Sequence, residues 1–219
     1  MTDGILFIDK PADMTSFGVV ARVRRVLSDQ NGKKMKVGHC GTLDPFATGL
    51  LVLCVGKECK NAGNYTKLDK VYEATVRLGQ TSSTGDPEGE ITDVNDRQPS
   101  NDEVTDILKR FVGDIKQTPP AHSAIKINGQ RAYHLARQGK EVDMPERTVR
   151  IHSLDIVEYQ YPNLKIRTHV SSGTYIRSLA QDIGSALGTG AYCSELRRTR
   201  IADWDVQNAQ SLIELGITD

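Results

Sequence analysis

Residues 71 to 78 alternate in character, with Tyr72, Ala74, Val76 and Leu78 set against Val71, Glu73, Thr75 and Arg77. A period of two fits a β-strand with one covered face and fits a helix poorly. Such a strand needs strands beside it and a layer over its apolar side, so this segment commits the chain to a sheet. The runs GILFID and LLVLCV read as short buried strands, and TVRIHSLDIVEY and LKIRTHV as two more. Helices are expected at three places before the last: one capped by Thr15 or Ser16 with Phe17, Val20, Val23 and Leu27 on its buried face, one capped by Asn101 and stopped by Gly113, and one carrying Ile176, Leu179, Ile183 and Leu187, besides a short helix-like run in an insertion. A last strand and an Asn208-capped helix finish the chain. Strands outnumber helices and several are adjacent, which predicts an α+β fold on a mixed, largely antiparallel sheet flanked by helices.

No linker or repeat interrupts the 219 residues, so a single domain over 1–219 is expected. It carries an insertion at about 117–146, polar and basic, with a Pro119-Pro120 pair, an Asn128-Gly129 turn and the short helix-like run RAYHLARQ. No apolar run is long enough to span a bilayer, and the start MTDGILFIDKP has neither the order of a secretory signal nor the character of a transit peptide. A soluble, cytoplasmic protein without membrane contact follows as the expectation. Cys40, Cys54, Cys59 and Cys193 form no close-paired framework, and thiols are expected rather than disulfides.

The formal net charge is zero, from 28 basic and 28 acidic residues, which on its face argues against a nucleic-acid partner. The charges are segregated, however. Between Ser82 and Asp106 stand eight acids (Asp86, Glu88, Glu90, Asp93, Asp96, Asp102, Glu103, Asp106) against one base, Arg97. Basic clusters lie at Arg22, Arg24 and Arg25, at Lys33, Lys34 and Lys36, and at Arg197, Arg198 and Arg200. A basic face and ordinary solvated surfaces explain these clusters about equally well.

The stretch GHCGTLDPFATGLL places one acid, Asp44, among glycines and a proline, where the backbone can approach a ligand closely. That suits a nucleophile loop; spacing alone favours an Asp44 that caps the following helix or turn. His39, Cys40, Cys54 and Cys59 gather nearby, but Cys54 lies within an apolar strand and no C-x-x-C pair is present, so no metal site is expected. No G-x-S-x-G elbow and no phosphate-binding glycine loop occurs either. What remains is acid-centred chemistry without a metal or nucleotide cofactor.

GHCGTLDPFATGLL resembles the active-site motif of the TruB family of pseudouridine synthases. IDKP, KVYEATVRLGQ, SAIKINGQRAYHLARQG, and SGTYIRSLAQDIG followed by LRRTR resemble further family stretches, in the family's order and over almost the whole chain. The resemblance implies the pseudouridine synthase fold and isomerisation of a uridine in the T-loop of tRNA (position 55) by a monomer that needs no cofactor. It implies that Asp44 is the nucleophile that begins cleavage of the C1′–N1 bond, that Arg177 pairs with it and keeps it charged, and that Tyr72 stacks on the flipped base and takes the C5 proton. Tyr175 and Leu196 then pack around the flipped nucleotide, and His39 fills the gap left in the RNA stack. Lys10 and Lys60 match positions of structural or RNA-backbone contact, and the insertion, through Lys126, Arg131, Arg137 and Lys140, meets phosphates. Without the resemblance, Tyr72, Tyr175 and Leu196 read as core residues, Arg177 as a surface base and His39 as a loop hydrogen-bonder.

Two departures stand out. Ser171-Ser172 replaces the Cys-Ser-Lys that many members carry before Gly-Thr-Tyr, and the chain reaches Asp219 without a PUA-type RNA-binding module. The alternatives are the guide-RNA-dependent branch of the family acting on ribosomal RNA, a non-catalytic RNA-binding or tRNA-folding protein, and a hydrolase that cuts N-glycosidic bonds and releases the base.

Overall fold

The computed structural model describes residues 2–123, 125–127, 129–139 and 142–217. In chain order the elements are β1 (Gly4–Lys10), α1 (Ser16–Asn31), β2 (Val37–His39), β3 (Thr48–Val55), α2 (Ala62–Thr66), β4 (Lys70–Leu78), β5 (Gln80–Ser82) and β6 (Ile91–Asp93). There follow α3 (Asn101–Lys109), β7 (Gly113–Gln117), β8 (Lys126–Ile127), β9 (Gln130–Arg131), α4 (Ala132–Arg137), β10 (Arg147–Gln160), β11 (Asn163–Val170), α5 (Ile176–Leu187), β12 (Ala191–Ile201) and β13 (Trp204–Asp205). The pairing is mixed and largely antiparallel, as expected for the α+β class. None of the described helices is long and apolar enough to cross a membrane.

The chain packs as two compact units, residues 1–73 with 196–219, and residues 74–195. In the first, β3 is buried on both faces from Gly49 to Val55 and serves as the centre. β1 runs antiparallel to it from Gly4↔Val55 to Lys10↔Gly49, β2 pairs antiparallel at its far end, and β12 runs parallel at Arg197↔Thr48 and Arg198↔Gly49. A parallel neighbour that close is possible because residue 49 is glycine: a Cβ there would lie 2.3 Å from the Arg198 carbonyl oxygen. In α1 the Thr15 hydroxyl caps the Gly18 N–H, and Ser16, Val19, Val20, Val23 and Leu27 face inward. Phe17, expected on that face, is 65% exposed, because a stripe centred on Val19, Val20 and Val23 leaves it on the rim.

In the second unit, β10 pairs antiparallel with both β11 and β7, while β5 with β6 and β8 with β9 form small hairpins. The strand β4, residues 70–73 in the first unit and 74–78 in the second, is buried at every second residue, Tyr72, Ala74, Val76 and Leu78 among them, as the alternation predicts. The cap of α3 is Ser100, one residue before the expected Asn101, because Ser100 and Glu103 form a reciprocal capping box. That helix ends at Lys109, and Gly113, with φ +110°, opens β7 instead of closing the helix. α5 buries Ile176, Leu179, Ile183 and Leu187 as expected. At the end of the chain the Asn208-capped helix is replaced by two short 3₁₀ turns, Val206–Asn208, capped by Asp205, and Ile213–Leu215.

Candidate active site

The loop carrying Asp44 runs from the end of β2 at His39 to the start of β3 at Thr48. The Ala47 N–H donates to the Asp44 carbonyl at 3.2 Å, and the chain then enters β3 directly, so Asp44 caps no helix. Its neighbours are fixed through their main chain. The Leu43 N–H donates to Ser16 Oγ at 2.8 Å, and the Ser16 hydroxyl donates to the Leu43 carbonyl at 2.9 Å. Lys10 Nζ donates to the carbonyls of Pro45 (3.0 Å), Pro11 (2.7 Å) and Met14 (2.6 Å). Both side chains are buried, Lys10 completely. Of the two roles expected for Lys10, structural or RNA-backbone contact, an ammonium with no exposure that donates to three carbonyls fits the structural one.

The other expected residues of this unit are distributed around that loop's scaffold. Tyr72 is buried on β4 and Leu196 on β12, His39 is half-buried at the end of β2, and Lys60 is exposed at the end of the 3₁₀ turn Gly56–Lys60. The third basic cluster is not a surface face. Arg197 makes a two-pronged pair with Asp9 (2.7 and 3.0 Å), Arg198 is buried, and only Arg200 is exposed. Cys40 and Cys54 are fully buried with sulfurs 2.9 Å apart, and burial together with the neighbouring thiol pushes Cys40 far above the usual thiol range. Such a thiol is a packing group, not a nucleophile.

In the second unit Arg177 opens α5 and is 3% exposed, so it is no surface base. Its Nη1 donates to Asp86 Oδ2 (2.8 Å) and the Thr84 carbonyl (3.0 Å), and its Nη2 to the His122 carbonyl (2.8 Å). Asp86, buried as well, takes the Thr84 hydroxyl (2.6 Å) and the Glu88 N–H (3.0 Å) on its other oxygen. Sequence reasoning counted Asp86 only as one acid of a charged loop; its partner lies 91 residues away, and nothing local marks it.

The Tyr175 main chain is gripped by Gln117, 1% exposed, whose side chain accepts from the Tyr175 N–H (2.8 Å) and donates to the Tyr175 carbonyl (3.0 Å). Arg147 lies over the half-buried Tyr175 ring at 4.9 Å and donates to the Gly173 carbonyl. Ser178 Oγ donates to the Thr118 carbonyl at 2.9 Å. The root of the insertion is therefore tied to the turn that presents Tyr175 and Arg177. Farther out, Arg131 is exposed on β9 opposite Lys126 on β8. The side chains of Lys126 and Arg137, and Lys140 altogether, lie outside the described residues.

The model of the TruB family pseudouridylate synthase N-terminal domain matches residues 24–176, and that of the tRNA pseudouridylate synthase B C-terminal domain matches residues 177–216. The chain belongs to the TruB family. A tRNA pseudouridine synthase B of Dechloromonas aromatica is 45% identical over 217 residues, which cover 99% of this chain and 71% of the relative. Its counterpart in Parabacteroides distasonis is 46% identical over 201 residues, covering 91% of this chain and 86% of the relative. Among solved structures, a chain of a Cbf5-Nop10-Gar1 complex superposes with a TM-score of 0.74 at 30% identity over 96% of this chain. This TruB family chain spans about half (52%) of that longer chain.

Proposed function

We propose that this TruB family protein isomerises uridine to pseudouridine in tRNA, at the T-loop uridine of position 55, as a cytoplasmic monomer acting without a guide RNA. The observation that carries the reading is the Asp44 loop: a single carboxylate between Leu43 and Pro45, both held by buried polar side chains. Near-full-length similarity to proteins named tRNA pseudouridine synthase B supports the substrate.

In this reading the ionised Asp44 starts the breaking of the C1′–N1 bond of a uridine flipped from the RNA stack, a step costing a few kcal/mol of unstacking. The uracil turns and rejoins C1′ through C5, the C5 proton leaves with Tyr72 as its acceptor, and N1, released from the sugar, takes up a proton. One proton is lost and one gained, so the product is an isomer of the substrate and no co-substrate is required. Arg177 is the cation assigned to Asp44, with Asp86 fixing its fork. Leu196 and Tyr175 line the flipped base, His39 fills the vacated stack, and Lys60, Lys126 and Arg131 meet the RNA backbone.

The test is tritium release from a T stem-loop RNA labelled at uridine C5, with no guide RNA, comparing the native protein with Asp44→Ala. Release by the native protein and none by the variant is expected. No release from either returns the protein to the guide-dependent or non-catalytic alternatives, and free uracil in the products would make it a glycosidase.

A further inference from the structure

Arg198 lies on β12, 1% exposed, and among the described residues it meets no carboxylate. Its Nε donates to the Leu50 carbonyl at 2.8 Å, Nη2 to the Gly41 carbonyl at 3.2 Å, and Nη1 to the Thr42 carbonyl at 3.4 Å. A second buried cation stands close: a Cβ on Gly41 would lie 3.7 Å from Arg198 Nη1 and 3.9 Å from Lys70 Cε. Burying a guanidinium without a counter-ion carries a desolvation cost, and a leucine would fill the same strand position without it. What a leucine lacks is a rigid planar fork with donors on several edges.

The three carbonyls that Arg198 reaches belong to the two ends of one loop. Gly41 and Thr42 lead into the turn that holds Asp44, and Leu50 follows it in β3. The guanidinium thus ties the entering and leaving strands of that loop together at its neck. The Arg198 main chain presses on the same place, since only a glycine at 49 tolerates its carbonyl. Ser16 and Lys10 hold Leu43 and Pro45 at the tip; Arg198 holds the base on which that tip stands.

We propose that Arg198 is a positioning residue for the nucleophile, fixing the neck of the 41–50 loop so that the Asp44 carboxylate is presented in one place. The proposal rests on the isomerase reading above. A misplacement of about 1 Å costs on the order of 100-fold in rate. Arg198→Met is therefore expected to lower the single-turnover rate constant at saturating T stem-loop RNA by about 100-fold, with the RNA Kd changed less than about threefold. Arg198→Lys keeps the charge and reaches fewer carbonyls, so part of the lost rate returns. Amide hydrogen exchange of the RNA-free variants should rise at 41–50 and stay native elsewhere.

Ile166→Ala is the control, because Ile166 is a fully buried residue of β11 in the second unit and lies outside the buried group that holds Cys40 and Leu50. If Ile166→Ala, at an equal loss in urea midpoint, loses as much rate as Arg198→Met, Arg198 is merely structural and the proposal falls. If Arg198→Met does not fold, Arg198→Lys decides: a slowed reaction with native RNA binding supports the proposal, and a native rate overturns it. The native protein and Asp44→Ala run in the same assay, so a failure of the isomerase reading shows as no release by the native protein. A failure of this proposal shows as native turnover in Arg198→Lys and Arg198→Met.

Discussion

Asp44 and Arg177 are held in opposite ways. The acid sits in a loop gripped through the main chain of its neighbours, by Lys10, Ser16 and Arg198. The base is gripped through its own side chain, by Asp86 and the carbonyls of Thr84 and His122. The difference follows from what each group has to give. A guanidinium has five N–H donors in a rigid fork, and that of Arg177 gives to Asp86 and to the Thr84 and His122 carbonyls at once. The Asp44 loop is set through the backbone on either side of the acid, at Leu43 and Pro45.

Substitutions that attack each kind of grip test that contrast. The largest effect is expected from Arg177→Lys, which keeps the charge and loses the planar fork. An ammonium cannot serve Asp86, Thr84 and His122 in that geometry, so under the proposed role of Arg177 the single-turnover rate should fall by roughly 1000-fold with RNA binding intact. Near-native turnover would show that the side-chain grip is dispensable. Asp86→Asn comes next. It preserves shape and strands a buried cation, which costs about 3–5 kcal/mol in comparable pairs. A clear drop in urea midpoint is expected together with a rate loss smaller than that of Arg177→Lys; a variant of native stability would mean that the pair does not hold Arg177. Gln117→Leu should do less. Two main-chain groups of Tyr175 lose partners at about 1–3 kcal/mol each, and the rate should fall roughly tenfold. A change in RNA Kd alone would assign Gln117 to the insertion and not to the Arg177 turn.

How much of this was legible in the sequence depends on the range of the interaction. The strand β4 was legible because its alternation is local, and α5 because its four apolar residues recur at helical spacing. Helix ends slipped where two signals competed: Ser100 won over Asn101 because Glu103 could complete its capping box. Polar residues on buried faces were the systematic loss. Ser16 falls on the inner stripe of α1 and Arg198 is two residues after buried Leu196, so the period of each element pointed inward while the residue type pointed out. Reading Arg197, Arg198 and Arg200 as one basic cluster ignored that phase. Asp86 with Arg177, and Gln117 with Tyr175, carried no local mark, because each pair closes over a long stretch of chain.

The smallest expected effect on rate belongs to Lys70, and its interest lies in pH. Burial first, and the charge of Arg198 second, push its ammonium down from 10.5 to about 8, with Asp69 acting the other way. Its Nζ donates to the Thr66 and Leu68 carbonyls and not to the Asp44 loop, so its charge is not what holds the nucleophile. In the unfolded chain the same group titrates near its ordinary value. Below pH 8 both states carry the proton, and the cost of burying the charge is present in full without varying with pH. Between about pH 8 and 10.5 the unfolded chain retains a proton that the folded chain has released, so this group makes stability rise with pH, by roughly 3 kcal/mol at most. Other groups titrate in the same window, so the quantity to measure is a difference: the unfolding free energy of the native protein minus that of Lys70→Met, by urea at pH 7.5 and at pH 10. That difference should grow in favour of the native protein as pH rises, while the rate of Lys70→Met at neutral pH stays close to native. Parallel curves would mean that Lys70 keeps its proton throughout. The neck of the Asp44 loop would then stand beside two permanent cations, where the lowered ammonium leaves Arg198 as the one charge that persists at high pH.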